Sequence, residues 1–95
     1  WHLYTVKILD SAALTRDAFV AELKARNVGA GIHFKAVHQH PYYRDKYPHW
    51  GERLPHATWV SDRICSLPLF PAMTGDDVRY VVSAVKDVLA RGIHA

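Results

Sequence analysis

One cysteine, no glycine-rich phosphate loop and no long apolar run mark this 95-residue sequence. The lone Cys65 excludes an intramolecular disulfide framework and fits a reducing, cytoplasmic setting. No apolar stretch approaches the roughly 18–20 residues that span a bilayer, so no membrane partner is expected. The opening Trp1-His2-Leu3-Tyr4 lacks a charged segment followed by an apolar one, and no leader peptide is expected there. Charge of one sign is not concentrated either. Twelve Lys and Arg oppose nine Asp and Glu, and the basic residues alternate with acids, as in Arg16-Asp17 and Asp62-Arg63. Without a basic stripe to track phosphates, no nucleic-acid partner is expected.

What is present is apolar. Hydrophobic residues make up 49% of the chain, enough for a folded core. The length allows one domain, 1–95, and a domain this small gains from support by a partner or a neighbouring domain.

Residues 2–9 alternate, with Tyr4, Val6 and Ile8 on one face and Leu3, Thr5 and Lys7 on the other, which predicts a strand. Thr15 then suits an N-cap, and Leu14 with Phe19 matches a hydrophobic staple, so a helix is expected over about 16–26. Asn27 is placed to leave it in the left-handed conformation. Val28–Phe34 resumes a strand pattern interrupted by Gly29 and Gly31, a sign of close approach by backbone or ligand. A short helix is expected at 42–47 between Pro41 and Pro48, a loop at 49–54, and a helix at 55–64 on the spacing of Ala57, Val60 and Ile64. Two prolines confine 66–71 to a short edge strand.

The last helix opens with Thr74 as cap, Asp77 reaching back and Met73 paired with Val78. Val78, Val81, Val82, Val85 and Leu89 supply its buried stripe, and Gly92 ends it. Trp50 and Trp59 read as packing residues and Cys65 as a buried apolar thiol. The expected architecture is an α+β domain: a small, largely antiparallel three-stranded sheet with helices packed on one side.

The chemistry concentrates in GAGIHFKAVHQHPYYR, residues 29–44, with His33, His38 and His40. Three imidazoles invite a metal reading, but the spacing H-x4-H-x-H matches no strong zinc signature, and no metal is expected. Half-buried, hydrogen-bonded loop histidines and a ligand-facing loop both remain open on these residues alone.

Three segments, HLYTVKI at 2–8, AELKARNVGAGIHFKAVHQHPYYRDKYP at 21–48 and SDRICSLPLFPAMTGDDVRYVVSAVK at 61–86, stand in an order and spacing that resembles a known family. They look like the C-terminal small domain of the DegT/DnrJ/EryC1/StrS family of PLP-dependent sugar aminotransferases, over roughly residues 1–90. The resemblance implies the small domain of an aspartate-aminotransferase-like fold. It implies amino transfer from glutamate to a keto group of a nucleotide-linked sugar, in a cytoplasmic enzyme whose parent is a homodimer. The implied cofactor is pyridoxal phosphate, bound by a large N-terminal domain that is absent from this sequence, with its Schiff-base lysine.

Lys7, Lys24, Lys35, Lys46 and Lys86 do not match the family's Schiff-base segment, so the chain alone is expected to be inactive, without catalytic or cofactor-binding residues. By motif matching, His38 is implied as a substrate-binding residue facing the nucleotide sugar, with His33, Phe34 and Tyr43 beside it. The family often places Gln two residues after this histidine, whereas here position 40 is His and Gln is at 39. The alternative is a small ligand- or metal-binding regulatory module using His33, His38 and His40.

Overall fold

A computed structural model describes residues 2–32 and 35–92 of the chain. Two strands, β1 (Tyr4–Lys7) and β2 (Ile64–Leu67), pair antiparallel with Tyr4 opposite Leu67 and Val6 opposite Cys65. Five helices accompany them among the described residues: α1 (Arg16–Ala25), α2 (Pro41–Lys46), α3 (Trp50–Arg53), α4 (Pro55–Arg63) and α5 (Gly75–Gly92). Single 3-10 turns occupy Asp10–Ala12 and Val37–Gln39.

Among the described residues the sheet has two strands, and a third stretch, within the expected strand 28–34, joins it at one point. Ser66 directs both backbone groups away from β1, its N–H donating to Gly31 O at 2.8 Å and its C=O accepting from Gly31 N at 3.0 Å. Alternate hydrogen bonding along an antiparallel pair leaves Thr5 and Ser66 as a non-bonded pair, which frees Ser66 for this second neighbour. Of the strand expected over 28–34, the described residues form an isolated antiparallel bridge at Gly31, and His33 and Phe34 lie outside the described residues. A side chain at Gly29 would meet nothing within 4 Å, so no close approach requires that glycine. The strand expected at 66–71 lies earlier, at 64–67, because Pro68 and Pro71 have no N–H to pair. Trp50–Arg53, expected as loop, makes one helical turn.

The helix ends follow from local chemistry. Thr15 Oγ1 accepts from Ala18 N at 3.1 Å, capping α1. At its other end Asn27 takes φ 60°, with Val28 N donating to Leu23 O at 2.9 Å and Asn27 N to Lys24 O at 3.0 Å. These two bonds form a Schellman motif, with buried Val28 against buried Leu23 as its apolar contact. For α5, Thr74 Oγ1 accepts from Asp77 N at 3.1 Å while Asp77 Oδ2 accepts from Thr74 N at 3.0 Å, a reciprocal capping box.

The core lies between α1, α5 and one sheet face. Ile8, Phe19, Leu23, Val28, Cys65, Ala84 and Val88 are buried, with Val6, Leu67, Val81, Val85 and Leu89 packed around them. The expected stripe of α5 is core only along its C-terminal part. Val78 and Val82 are exposed and, with Tyr4, Leu69 and Met73, border an open apolar groove of about 500 Å³ that no described residue fills. While α1 and α5 share this face, α4 borders the opposite one across a cavity lined by Leu3, Thr5, Ile64 and Ser66, whose alternation puts them on that side. The result is a slab of 47 × 35 × 19 Å, with a radius of gyration of 15.3 Å. A compact chain of this length reaches only about 12 Å.

At the rim, Arg26 Nε donates to Asp87 Oδ2 at 2.9 Å, and Tyr80 Oη donates to Arg26 O at 2.6 Å, tying α1 to α5. The Arg26 hydrogen bond, aided by the charges of Arg91 and Arg26, holds the Asp87 carboxyl below its usual range. A depressed folded-state value stabilises the fold above the unfolded carboxylate range and is lost on acidification. Asp87→Asn is therefore expected to lower the urea midpoint at neutral pH, with the difference from the parent shrinking below about pH 4. A difference that stays constant across that range would remove the ion pair as its cause.

Candidate functional site

The site grows from the way α4 holds the turn before α2. Ser61 is buried on α4, where its Oγ accepts from Ala36 N at 3.0 Å and donates to Gln39 Oε1 at 2.8 Å. Gln39 Nε2 donates in turn to Asp62 Oδ1 at 3.3 Å. One helical turn earlier, Thr58 Oγ1 lies 2.7 Å from His38 Nε2 and donates to Leu54 O at 3.0 Å. The 3-10 turn at 37–39 is thus fixed to a helix by side-chain bonds, and His38 is half-buried. From the other side, Arg16 Nη1 donates to the carbonyls of Ser61 (2.8 Å) and Ile64 (2.9 Å) while Nε donates to Asp17 Oδ1 at 2.7 Å. Those carbonyls belong to the end of α4, where helix geometry leaves acceptors without partners.

These residues wall a polar cavity of about 630 Å³. His38, Gln39, Thr58 and Ser61 form one side, and Lys35, Arg44, Arg16, Asp17 and Asp62 bring three cations against two carboxylates. The cavity thus brings cations, carboxylates and hydrogen-bonding side chains to one space.

The residues expected from sequence are distributed unequally around it. His38 lines the cavity. Tyr43 does not; it lies exposed on α2, edge-on to Tyr42 with ring centroids 5.0 Å apart, and its neighbour Arg44 takes the place on the wall. His33 and Phe34 lie outside the described residues. His40 turns to the second cavity, its Nε2 donating to Lys35 O at 3.2 Å. His38 and His40 therefore line separate cavities, and among the described residues no group of three His, Cys, Asp or Glu side chains forms a metal site.

Thr58, Ser61, Asp62 and Arg16 were not candidates on sequence. The signal for the first three was a polar stripe at helical spacing on α4, opposite the apolar Ala57 and Val60. Trp50 and Trp59, expected as packing residues, are exposed, and Arg63 lies over the Trp59 ring at 4.7 Å. Cys65 is buried as expected, and burial raises its thiol above the usual range despite the opposing charge of Arg16.

Pyridoxal phosphate needs a lysine made reactive by enclosure and an acidic partner for its ring nitrogen. Lys7, Lys24, Lys35, Lys46 and Lys86 are all exposed. Lys46 rests on the rings of Tyr42 and Tyr47, and Lys35 stands at the mouth of two open cavities. The described residues therefore do not fit the cofactor. No helix of the described residues is long and apolar enough to cross a membrane.

A family model, the DegT/DnrJ/EryC1/StrS aminotransferase family, matches residues 1–86. That span holds β1, β2, α1 to α4, the whole His38 cavity and most of α5. The frame that fixes His38 and the sequence around it thus lie within a single match, and the chain belongs to the DegT/DnrJ/EryC1/StrS aminotransferase family.

Proposed function

We propose that residues 1–95 form the small C-terminal domain of a sugar aminotransferase, and that its His38 loop binds the nucleotide-linked sugar that receives the amino group. The observation that carries this reading is the polar cavity in which His38, Gln39, Lys35 and Arg44 converge. A nucleotide sugar offers anionic phosphate and several hydroxyls. Lys35 and Arg44 can only donate, which suits the phosphates, whereas His38 and the carboxylates can take hydroxyl protons.

In this reading the pyridoxal phosphate, its lysine and the acid on its ring nitrogen belong to a large domain, because the lysines described here do not fit that task. The flat outline and the open groove at Val78 and Val82 agree with a domain that buries further surface against another part of the enzyme. Within the family, GIHFKAVH and RICSLPLFPAMT most resemble UDP-4-amino-4-deoxy-L-arabinose–oxoglutarate aminotransferase. That likeness supports a cytoplasmic, homodimeric parent acting in lipid A or surface-polysaccharide modification. His33, Phe34 and Tyr43 are proposed neighbours of the same substrate, with Tyr43 on α2 beside the cavity residue Arg44.

The test is steady-state kinetics of the complete enzyme with His38→Ala. The expected result is a KM for the nucleotide sugar raised about tenfold, the value of one or two lost hydrogen bonds, with the glutamate half-reaction unchanged. An unchanged KM for the sugar, or an equal loss in the glutamate half-reaction, would overturn the assignment.

A further inference from the structure

Two bonds meet at the Thr58 hydroxyl, and they limit what His38 can be. A threonine hydroxyl carries a single proton. Thr58 sits one turn after Leu54, whose carbonyl it reaches at 3.0 Å, the familiar back-bond of a helical threonine. His38 Nε2 lies 2.7 Å away on the other side of the same oxygen. If the hydroxyl proton goes to Leu54 O, both contacts are hydrogen bonds only when Nε2 carries a proton and donates. If the proton goes to Nε2 instead, the contact to Leu54 O is lost. The arrangement with two bonds leaves the neutral ring with its lone pair on Nδ1, which has no hydrogen-bond partner among the described residues.

We propose that Thr58 is a positioning residue that selects the Nε2–H tautomer of His38, so that Nδ1 is the acceptor offered to a hydroxyl of the bound sugar. The proposal rests on the functional reading above. Its chemical consequence is selectivity. Lys35 and Arg44 donate to any oxygen, whereas a neutral Nδ1 accepts only from a group that has a proton to give. A sugar carrying a hydroxyl at that point keeps the bond, and one with a keto or deoxy centre there loses it.

Ser61 provides an internal control. It holds the same turn through Ala36 and Gln39 but does not touch the imidazole. Loosening the turn through Ser61→Ala should weaken substrate binding without altering the tautomer. Changing Thr58 should do both.

The experiment is long-range proton–nitrogen NMR of histidine-labelled complete enzyme at about pH 8.5, above the ordinary imidazole range, alongside kinetics. The parent is expected to show Nε2–H for His38. Thr58→Val should give a mixture or the Nδ1–H form and raise the KM for the nucleotide sugar about fivefold, and Thr58→Ser should restore both. An Nδ1–H ring in the parent would overturn the proposal even if no variant folds. So would Thr58→Val with a raised KM and an unaltered tautomer, since the effect would then be structural. If His38→Ala leaves the sugar KM unchanged while Thr58→Val switches the tautomer, the hydrogen-bond reading stands and the functional reading is the one that fails.

Discussion

Phe19→Ala is expected to lower the stability of the fold by about 3–5 kcal/mol, the usual cost of emptying a buried aromatic site. Phe19 is 1% exposed and joins α1 to a core whose described buried apolar members number seven. A core this small has few neighbours able to move into the space, so little of the cavity can collapse. Leu14 packs against the same core cluster, at the position where a hydrophobic staple would meet Phe19, so loss of the ring also weakens the start of α1. Stabilities of domains of this length run to only about 5–14 kcal/mol, so the change removes a large part of the total. Urea unfolding followed by circular dichroism measures it. The midpoint should fall sharply with the slope little changed, and a midpoint close to the parent would show that Phe19 is not central to the core.

Arg16→Ala is expected to cost about 2 kcal/mol, on the scale of hydrogen bonds made by a charged donor. The Arg16 side chain is 14% exposed, and one of its nitrogens serves two carbonyls, those of Ser61 and Ile64, where α4 passes into β2. Without it two part-buried acceptors at the end of α4 lose their charged donor. The effect should extend beyond stability, because Ser61 and Asp62 hold Gln39 and the His38 turn. Arg16→Lys should recover only part of the loss, since an ammonium is a point charge and lacks the planar fork that serves Asp17 and the carbonyls together. Full recovery by lysine would mean that charge alone matters at this position.

The features that could be read from sequence were those whose cause is local. Thr15, Asn27 and the Thr74–Asp77 pair act on backbone within four residues, so residue type and position are sufficient to locate them. Arg16 could not be read this way, because its partners lie 45 and 48 positions away and nothing beside it marks them. The valines of α5 kept perfect helical spacing, yet periodicity identifies a face without saying how far along the helix a covering surface extends. Only the part opposite α1 and Cys65 is covered, which leaves Val78 and Val82 open.

For the site, the resemblance directed attention to His38 and the physics of the cavity supplied its companions. Thr58 and Ser61 look like ordinary helix residues until the turn at 37–39 is brought against them. Tyr43 shows the reverse case. An aromatic beside a functional loop attracts interest, but α2 turns it to solvent and sends Arg44 to the cavity instead.

The bridge at Gly31 has a consequence for how this chain tolerates change in length. Gly31 bonds to Ser66, Ala36 to Ser61 and His38 to Thr58, so successive points on one stretch meet successive points on the other in reverse order. The pairing passes from a sheet onto a helix, with five positions from the first contact to the second on each stretch and then two against three. Substitutions at exposed positions such as Lys35 or Val37 leave every one of these contacts in place. Adding or removing one residue between 62 and 65 shifts these contacts relative to one another and separates the imidazole from its hydroxyl. The pairing is thus permissive toward composition and intolerant of insertion, the opposite of an ordinary surface loop.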